Sequence, residues 1–147
     1  NEIGQLREWD EKREQDWSIL KYPLHDAFHH FMMDLNKIYL NHPSLFEMDY
    51  SQNGFKWLDC HQEERCIYAF ERTSKSERII AVFNFSDHTQ KKYVLPVEHA
   101  KSLKLLLASD MDIYRGTTNY KNNVQKIIKS SITLDLAPYS ARYYLVQ

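Results

Sequence analysis

The feature that most constrains this chain is a change of hydrophobic period near residue 44. From Ser44 onward, aromatic and β-branched residues come in short runs: Phe55-Lys56-Trp57-Leu58, Cys66 to Phe70, Ile79 to Phe85, Lys92 to Leu95, Leu103 to Leu107, Ser131 to Leu134 and Ala141 to Val146. Successive side chains of a strand point to opposite faces, so a period of two marks a half-buried strand. Turn-forming stretches such as Ser51–Gly54 and Thr73–Ser76 separate the runs, Thr117–Asn123 is a polar loop, and no helical pattern intervenes. Short strands spaced in this way predict a mainly β fold, an antiparallel β-sandwich.

Upstream the period is helical. Leu24, Ala27, Phe28, Phe31, Leu35, Ile38 and Tyr39 recur at steps of three and four, with Pro23 suited to a first turn and Pro43 to a stop. Asn1 to Lys21 is polar, without clean period, and punctuated by Trp9 and Trp17. The predicted organisation is therefore 1–43, a loop plus an amphipathic helix, and 44–147, the sandwich. The 147 residues leave room for one core. An apolar helix face needs a second layer. It must lie on the sandwich, under the Trp9–Trp17 segment, or against another copy. The first residue is not Met, and the expectation is a fragment of a longer protein.

Composition removes several function classes. Lys and Arg total 19 against 20 Asp and Glu, which argues against a nucleic-acid or anionic-membrane partner held by bulk charge. No apolar run approaches about 20 residues, so neither a spanning helix nor a signal peptide is expected, and the predicted location is cytoplasmic. Gly4, Gly54 and Gly116 are the three glycines and lie far apart. That excludes a Walker A loop, a dinucleotide G-x-G-x-x-G and a G-x-S-x-G elbow.

No local pattern assembles a catalytic or metal centre. Cys60 and Cys66 sit at the shoulders of a predicted hairpin; a zinc site using them with His61 lacks its remaining ligands, and the expectation is two thiols. His25 and His29 are four apart on the helix, beside His30, but no third ligand is spaced to match, so they are expected to pack or to face solvent. Glu8, Asp10, Glu11, Glu14 and Asp16 alternate with Arg7, Lys12 and Arg13 and predict a solvated, salt-bridged surface. No catalytic residue, metal or cofactor is assigned. Aromatic residues make up 14% of the chain; most should be strand core, and a few exposed ones suit stacking on sugars.

Asn1-Glu2-Ile3-Gly4-Gln5, Arg7-Glu8-Trp9-Asp10 and Asp16-Trp17-Ser18-Ile19-Leu20 resemble the end of the catalytic barrel in 1,4-α-glucan (glycogen) branching enzymes of the α-amylase superfamily. His25, Asp34-Leu35-Asn36 and Tyr39 resemble its final helix. Pro43, Leu45, Glu47, Asp49 and Gly54-Phe55-x-Trp57 resemble the entry into the C-terminal all-β domain. Asn84-Phe85, Ser109-Asp110 with Tyr114 and Gly116, and Leu134-x-Leu136-x-Pro138 fit later landmarks of that domain; Arg115 stands where a second glycine is common.

The resemblance implies a parent that cleaves an α-1,4 glucan and transfers the chain to a 6-hydroxyl, making an α-1,6 branch. Its catalytic carboxylates belong to earlier barrel strands that these residues do not include, so this piece should be inert alone. Glu2, Gln5 and Trp9 would stand at the active-site rim. The implied partners are an α-glucan and the catalytic barrel of the same chain; the apolar face of the helix 24–40 adds a second copy as an expected partner. The alternative is a β-sandwich or glucan-binding module of another α-amylase-superfamily hydrolase. Trp57 is the glucan-binding candidate on the sandwich. Phe55 and Trp57 share a strand face, which either points into the core or lies on the surface as a stacking platform.

Overall fold

The computed structural model describes residues 2–120 and 122–147, with the backbone alone at 61–63. Asn1 of the first motif and the His61 side chain lie outside the described residues.

One α-helix precedes the strands. α1 spans Pro23–Asn41 with proline in its first turn, where no amide partner is lost. A 3₁₀ turn, Pro43–Leu45, follows at once. The strands are β1 (Phe55–Gln62), β2 (Ile67–Thr73), β3 (Arg78–Asn84), β4 (Gln90–Pro96), β5 (Ser102–Ala108), β6 (Val124–Lys126), β7 (Ser131–Leu136) and β8 (Ser140–Val146). Seven of them fall on the predicted runs. β6 does not, because three residues carrying one apolar side chain, Val124, are too short for a period to show.

The antiparallel sandwich is present, and it is unequal. Six strands hydrogen-bond in the order β1-β2-β3-β8-β5-β6, and β4 pairs with β7 as a two-stranded second sheet. Between them lies an aliphatic core to which the large sheet contributes Ile67, Ala69, Ile80, Val82, Leu103 and Leu105, and the small sheet Tyr93, Leu95, Ile132, Leu134 and Leu136. Strict alternation puts these residues on the inner faces; in β7 every second residue is buried. The Tyr93 hydroxyl leaves this core by donating to the Asp59 carboxylate at 2.9 Å, which ties β4 to β1. Burial and that carboxylate both raise the Tyr93 pKa.

The family landmarks turn out to be fixing points. Asn84 is fully buried; its amide donates to the carbonyls of His88 (3.0 Å) and Ala137 (2.8 Å), and its oxygen accepts from Ser86 Oγ (2.6 Å). This satisfies a polar group that would otherwise be costly inside. Asp110 accepts from Thr118 Oγ1 at 2.8 Å and Tyr120 at 2.8 Å, with the buried Arg142 guanidinium 3.6 Å away. Gly116 closes the same loop: a Cβ there would lie 2.1 Å from the Asp110 carbonyl oxygen, a contact no side chain survives. Arg115, where a second glycine was expected, takes φ +65°, the left-handed conformation that glycine adopts at least cost.

That loop is also what receives the helix. The Tyr114 hydroxyl donates to Asp34 at 2.7 Å, and its ring stands edge-on to Phe31 at 5.4 Å. Hydrogen bonds from Lys37 and Tyr114 hold the Asp34 carboxyl below its ordinary pKa. The far end is clamped by His42, which donates to Glu77 at 3.0 Å, and by Ser44, whose amide (3.1 Å) and hydroxyl (3.0 Å) meet the same carboxylate. The helix meets the sandwich, one of the three predicted covers, and the 3₁₀ turn Trp17–Lys21, which adjoins the predicted Trp9–Trp17 segment at Trp17. Ala27 is buried, whereas Leu24, Phe28, Met33, Tyr39 and Leu40 stay exposed. Among the described residues, no helix is long and apolar enough to cross a membrane.

Candidate functional site

The segment before α1 is folded by side chains rather than by period. His25 donates from Nδ1 to the Ile3 carbonyl at 3.0 Å, and His29 Nδ1 meets the Glu2 carbonyl at 3.2 Å. These two histidines therefore pin residues 2–3 to the helix. Gly4, at φ +64°, turns the chain where a Cβ would press on the His25 ring at 3.3 Å. Gln5 then reaches across the loop: its oxygen accepts from the Asp16 amide at 3.0 Å, while its Nε2 donates to the Arg7 carbonyl at 3.2 Å. Arg7 closes the ring, with Nε on Asp16 at 2.8 Å and a further bond to the Glu14 carbonyl. The bond to Asp16 raises the Arg7 pKa, against some loss of solvation.

The result is a cleft of about 220 Å³ lined by Glu2, Ile3, Gln5, Arg7, Trp9, Gln15 and Trp17. It gathers all three predicted rim residues. Trp9 is 72% exposed and Trp17 48%, so indole surface is available beside hydrogen-bonding groups. Flat apolar rings flanked by amide, guanidinium and carboxylate groups suit a sugar, whose C–H faces stack while its hydroxyls stay bonded. Gln5 lines the cleft, and both ends of its amide hold the loop. Trp17, Arg7 and Gln15 were not predicted as lining. Trp17 appeared only within an Asp-Trp landmark, and no periodic signal brings position 17 back to position 9.

Trp57 does not line this cleft. It stands on the outer face of the large sheet, 50% exposed, with its indole edge-on to Phe55 (5.1 Å, 87°) and Phe70 (5.9 Å, 89°). The shared face with Phe55 is as predicted, and it is turned away from the core. Trp57 also borders a groove of about 310 Å³ with Lys56, Glu71 and Arg78. Alternation aims those polar side chains to the other side of the sheet from the indole. Cys60 and Cys66 are thiols, each half-buried. No cluster of three or more metal-ligating side chains occurs among the described residues.

Residues 57–147 match the family model of the α-amylase C-terminal all-β domain. The chain belongs to the α-amylase C-terminal all-β domain family. This family match covers the sandwich; relatives extend it upstream. The chain is 36% identical over 117 residues to the 1,4-alpha-glucan branching enzyme GlgB of Desulfitobacterium hafniense (78% of this chain, 18% of that protein). It is 34% identical over 139 residues to the GlgB of Nitrosococcus oceani (95% of this chain, 18% of that protein). The GlgB of Pseudomonas putida is 36% identical over 117 residues (79% and 16%). The chain thus spans under a fifth of the length of these relatives. Among solved structures, the trehalulose synthase MutB of Pseudomonas mesoacidophila superposes with a TM-score of 0.58 at 17% identity, over 82% of this chain and 18% of that one. At that identity the likeness is one of fold.

Proposed function

We propose that this all-β domain and its helix are the C-terminal part of a 1,4-α-glucan branching enzyme, working in the cytoplasm, whose remaining chain carries the catalytic barrel and transfers an α-1,4 glucan segment to a 6-hydroxyl. The observation that carries this reading is the similarity to a branching enzyme over 139 residues. It extends beyond the 57–147 family match into the helix and the cleft.

In this reading the Trp9–Trp17 cleft contacts glucan. Trp9 and Trp17 stack on sugar rings, Glu2, Arg7 and Gln15 hold hydroxyls, and Gln5 keeps the loop folded. The chain has no chemistry of its own here, because glycosyl transfer needs two carboxyl groups held across one bond. A homodimer through residues 24–40 is the second arrangement, supported by Leu24 at 72% and Leu40 at 73% exposure; a dimer mass in light scattering would establish it.

The test is to express the chain with and without its upstream coding sequence and measure α-1,6 branch points formed in amylose. The longer protein should branch and the present chain should leave amylose unchanged. Turnover by the present chain, or hydrolysis without branching by the longer one, overturns the reading.

A further inference from the structure

Gly54 is the one glycine of this chain that follows an asparagine, and its packing leaves no choice of residue. It is buried at the end of the 3₁₀ turn Gln52–Gly54, where a Cβ would lie 2.4 Å from the Met48 carbonyl oxygen and 2.5 Å from the Met48 Cβ. Only glycine fits there. Asn53, by contrast, is exposed. The pair therefore sets a carboxamide in water beside an amide nitrogen that no following Cβ shields. Asparagine is thermolabile, and in this setting it loses ammonia without an enzyme.

The turn decides whether the two groups meet. The Gly54 amide donates to the Ser51 carbonyl at 3.0 Å, and the Asn53 amide donates to Ser51 Oγ at 3.3 Å. Ser51 is itself tied to the Met48 carbonyl at 3.0 Å through its own amide. A 3₁₀ turn holds ψ at roughly −20 to −30°, which aims the Gly54 N–H at Ser51 and away from the Asn53 side chain. Ring closure needs the opposite. The nitrogen must give up its proton and swing onto the side-chain carbon, and it is free to do so when the turn opens, a local event that costs less than global unfolding.

We propose that Asn53 is a deamidation site gated by the 52–54 turn. The Gly54 nitrogen bonds to Asn53 Cγ, the bond from Cγ to the side-chain nitrogen breaks, and ammonia leaves with the proton of the Gly54 amide, giving a succinimide. Water then opens the ring at either carbonyl. One product is aspartate. The other is isoaspartate, in which the main chain runs through the side-chain carbons, is one atom longer, and carries a new carboxylate. The longer chain cannot rebuild the turn, and the change falls at a joint. Phe55 begins β1 and pairs with Arg72, whose guanidinium also holds Asp49 and the Leu45 carbonyl. Isoaspartate at position 53 thus loosens the segment that leads from α1 to the sheet. None of this chemistry depends on the branching-enzyme reading.

Peptide mapping by mass spectrometry tests it, on the present chain held at mildly alkaline pH both folded and in guanidinium chloride. Isoaspartate should accumulate at residue 53 in both, roughly tenfold or more faster in the unfolded chain, where no turn holds the nitrogen. Ser51→Ala removes the side-chain bond to Asn53. It should speed the reaction roughly twofold to tenfold in the folded chain, the effect of losing a serine cap, and leave the rate in guanidinium chloride unchanged. The isoaspartyl form, separated by chromatography from the aspartyl one, should melt about 2–4 °C lower, with faster amide exchange at Phe55 and Trp57. Asn53→Asp, which adds the charge and no atom, should melt with the parent. Absence of isoaspartate at 53 in the unfolded chain overturns the site. Equal rates in the folded and unfolded chains, or a folded rate that Ser51→Ala leaves alone, overturn the gate. An isoaspartyl form with the parent's Tm and exchange overturns the loosening of the joint.

Discussion

The two faces of the six-stranded sheet are made from the same strands by the same alternation, yet they are filled differently. The inner face is aliphatic: Ile67, Ile80, Val82 and Leu103 are all fully buried against the small sheet. The outer face is aromatic and graded, from Ile79 at 0% exposed to Phe85 at 59%. Branched aliphatic side chains interdigitate to crystal-like density, which suits a core that must close by itself. Flat rings keep useful contact area when one side is uncovered, as it is at Trp57 and Phe85. An apolar residue on a strand thus carries two kinds of information, and its type helps to say which kind.

The largest expected effect is on the inner face. Ile80→Ala, at a fully buried site, should cost about 2–5 kcal/mol in urea unfolding. A loss below that range would mean that the small sheet collapses onto the cavity and the core is looser than its alternation implies.

Next is the clamp joining the helix segment to the sheet. Burial alone would raise the Glu77 pKa, but hydrogen bonds from His42 and Ser44 outweigh it, and the carboxyl titrates below its ordinary 4.5. A carboxyl depressed in the folded state contributes stability that is complete above 4.5 and is lost as pH falls through its lower folded value. Glu77→Gln should cost about 1.5–3 kcal/mol at neutral pH. It should also flatten the acid limb of the stability profile just below pH 4.5. An unchanged acid limb would show that the clamp is not what this carboxylate stabilises.

Trp57→Ala should cost about 1–2 kcal/mol in this chain, against the roughly 3–5 of a core tryptophan, since half of the ring is already wet. A core-sized loss would erase the distinction between the faces. Tyr114→Phe removes the bond to Asp34 and should cost about 0.5–1.5 kcal/mol. Amide exchange should quicken along α1 and stay slow in β3 and β8. The smallest effect on stability is expected from Trp9→Ala, at 72% exposure; its consequence should be weaker retardation in glycogen-containing gels, seen in the longer protein.

Most of the strand layout was legible because alternation is local: a residue's neighbours two positions away disclose its face. β6 was not legible, since its pairing with β5 is made by backbone bonds that leave no side-chain pattern. The site was half legible. Glu2, Gln5 and Trp9 were reached through motif resemblance, whereas Arg7, Gln15 and Trp17 enter the cleft only because Gln5 and Arg7 fold residues 5–16 back on themselves.

The sequence by itself determined the class of fold, the division into helix and strands, and the face shared by Phe55 and Trp57, because periodicity and turn chemistry act over a few residues. Only the tertiary structure decided which face of the sheet would be core, that six strands would close against two, and that Ile79, Ala81 and Leu107 on the outer face would be buried while Phe55, Trp57 and Phe85 stayed open. Those outcomes depend on which distant elements compete to bury the same surface, and that competition is settled by packing across the whole chain.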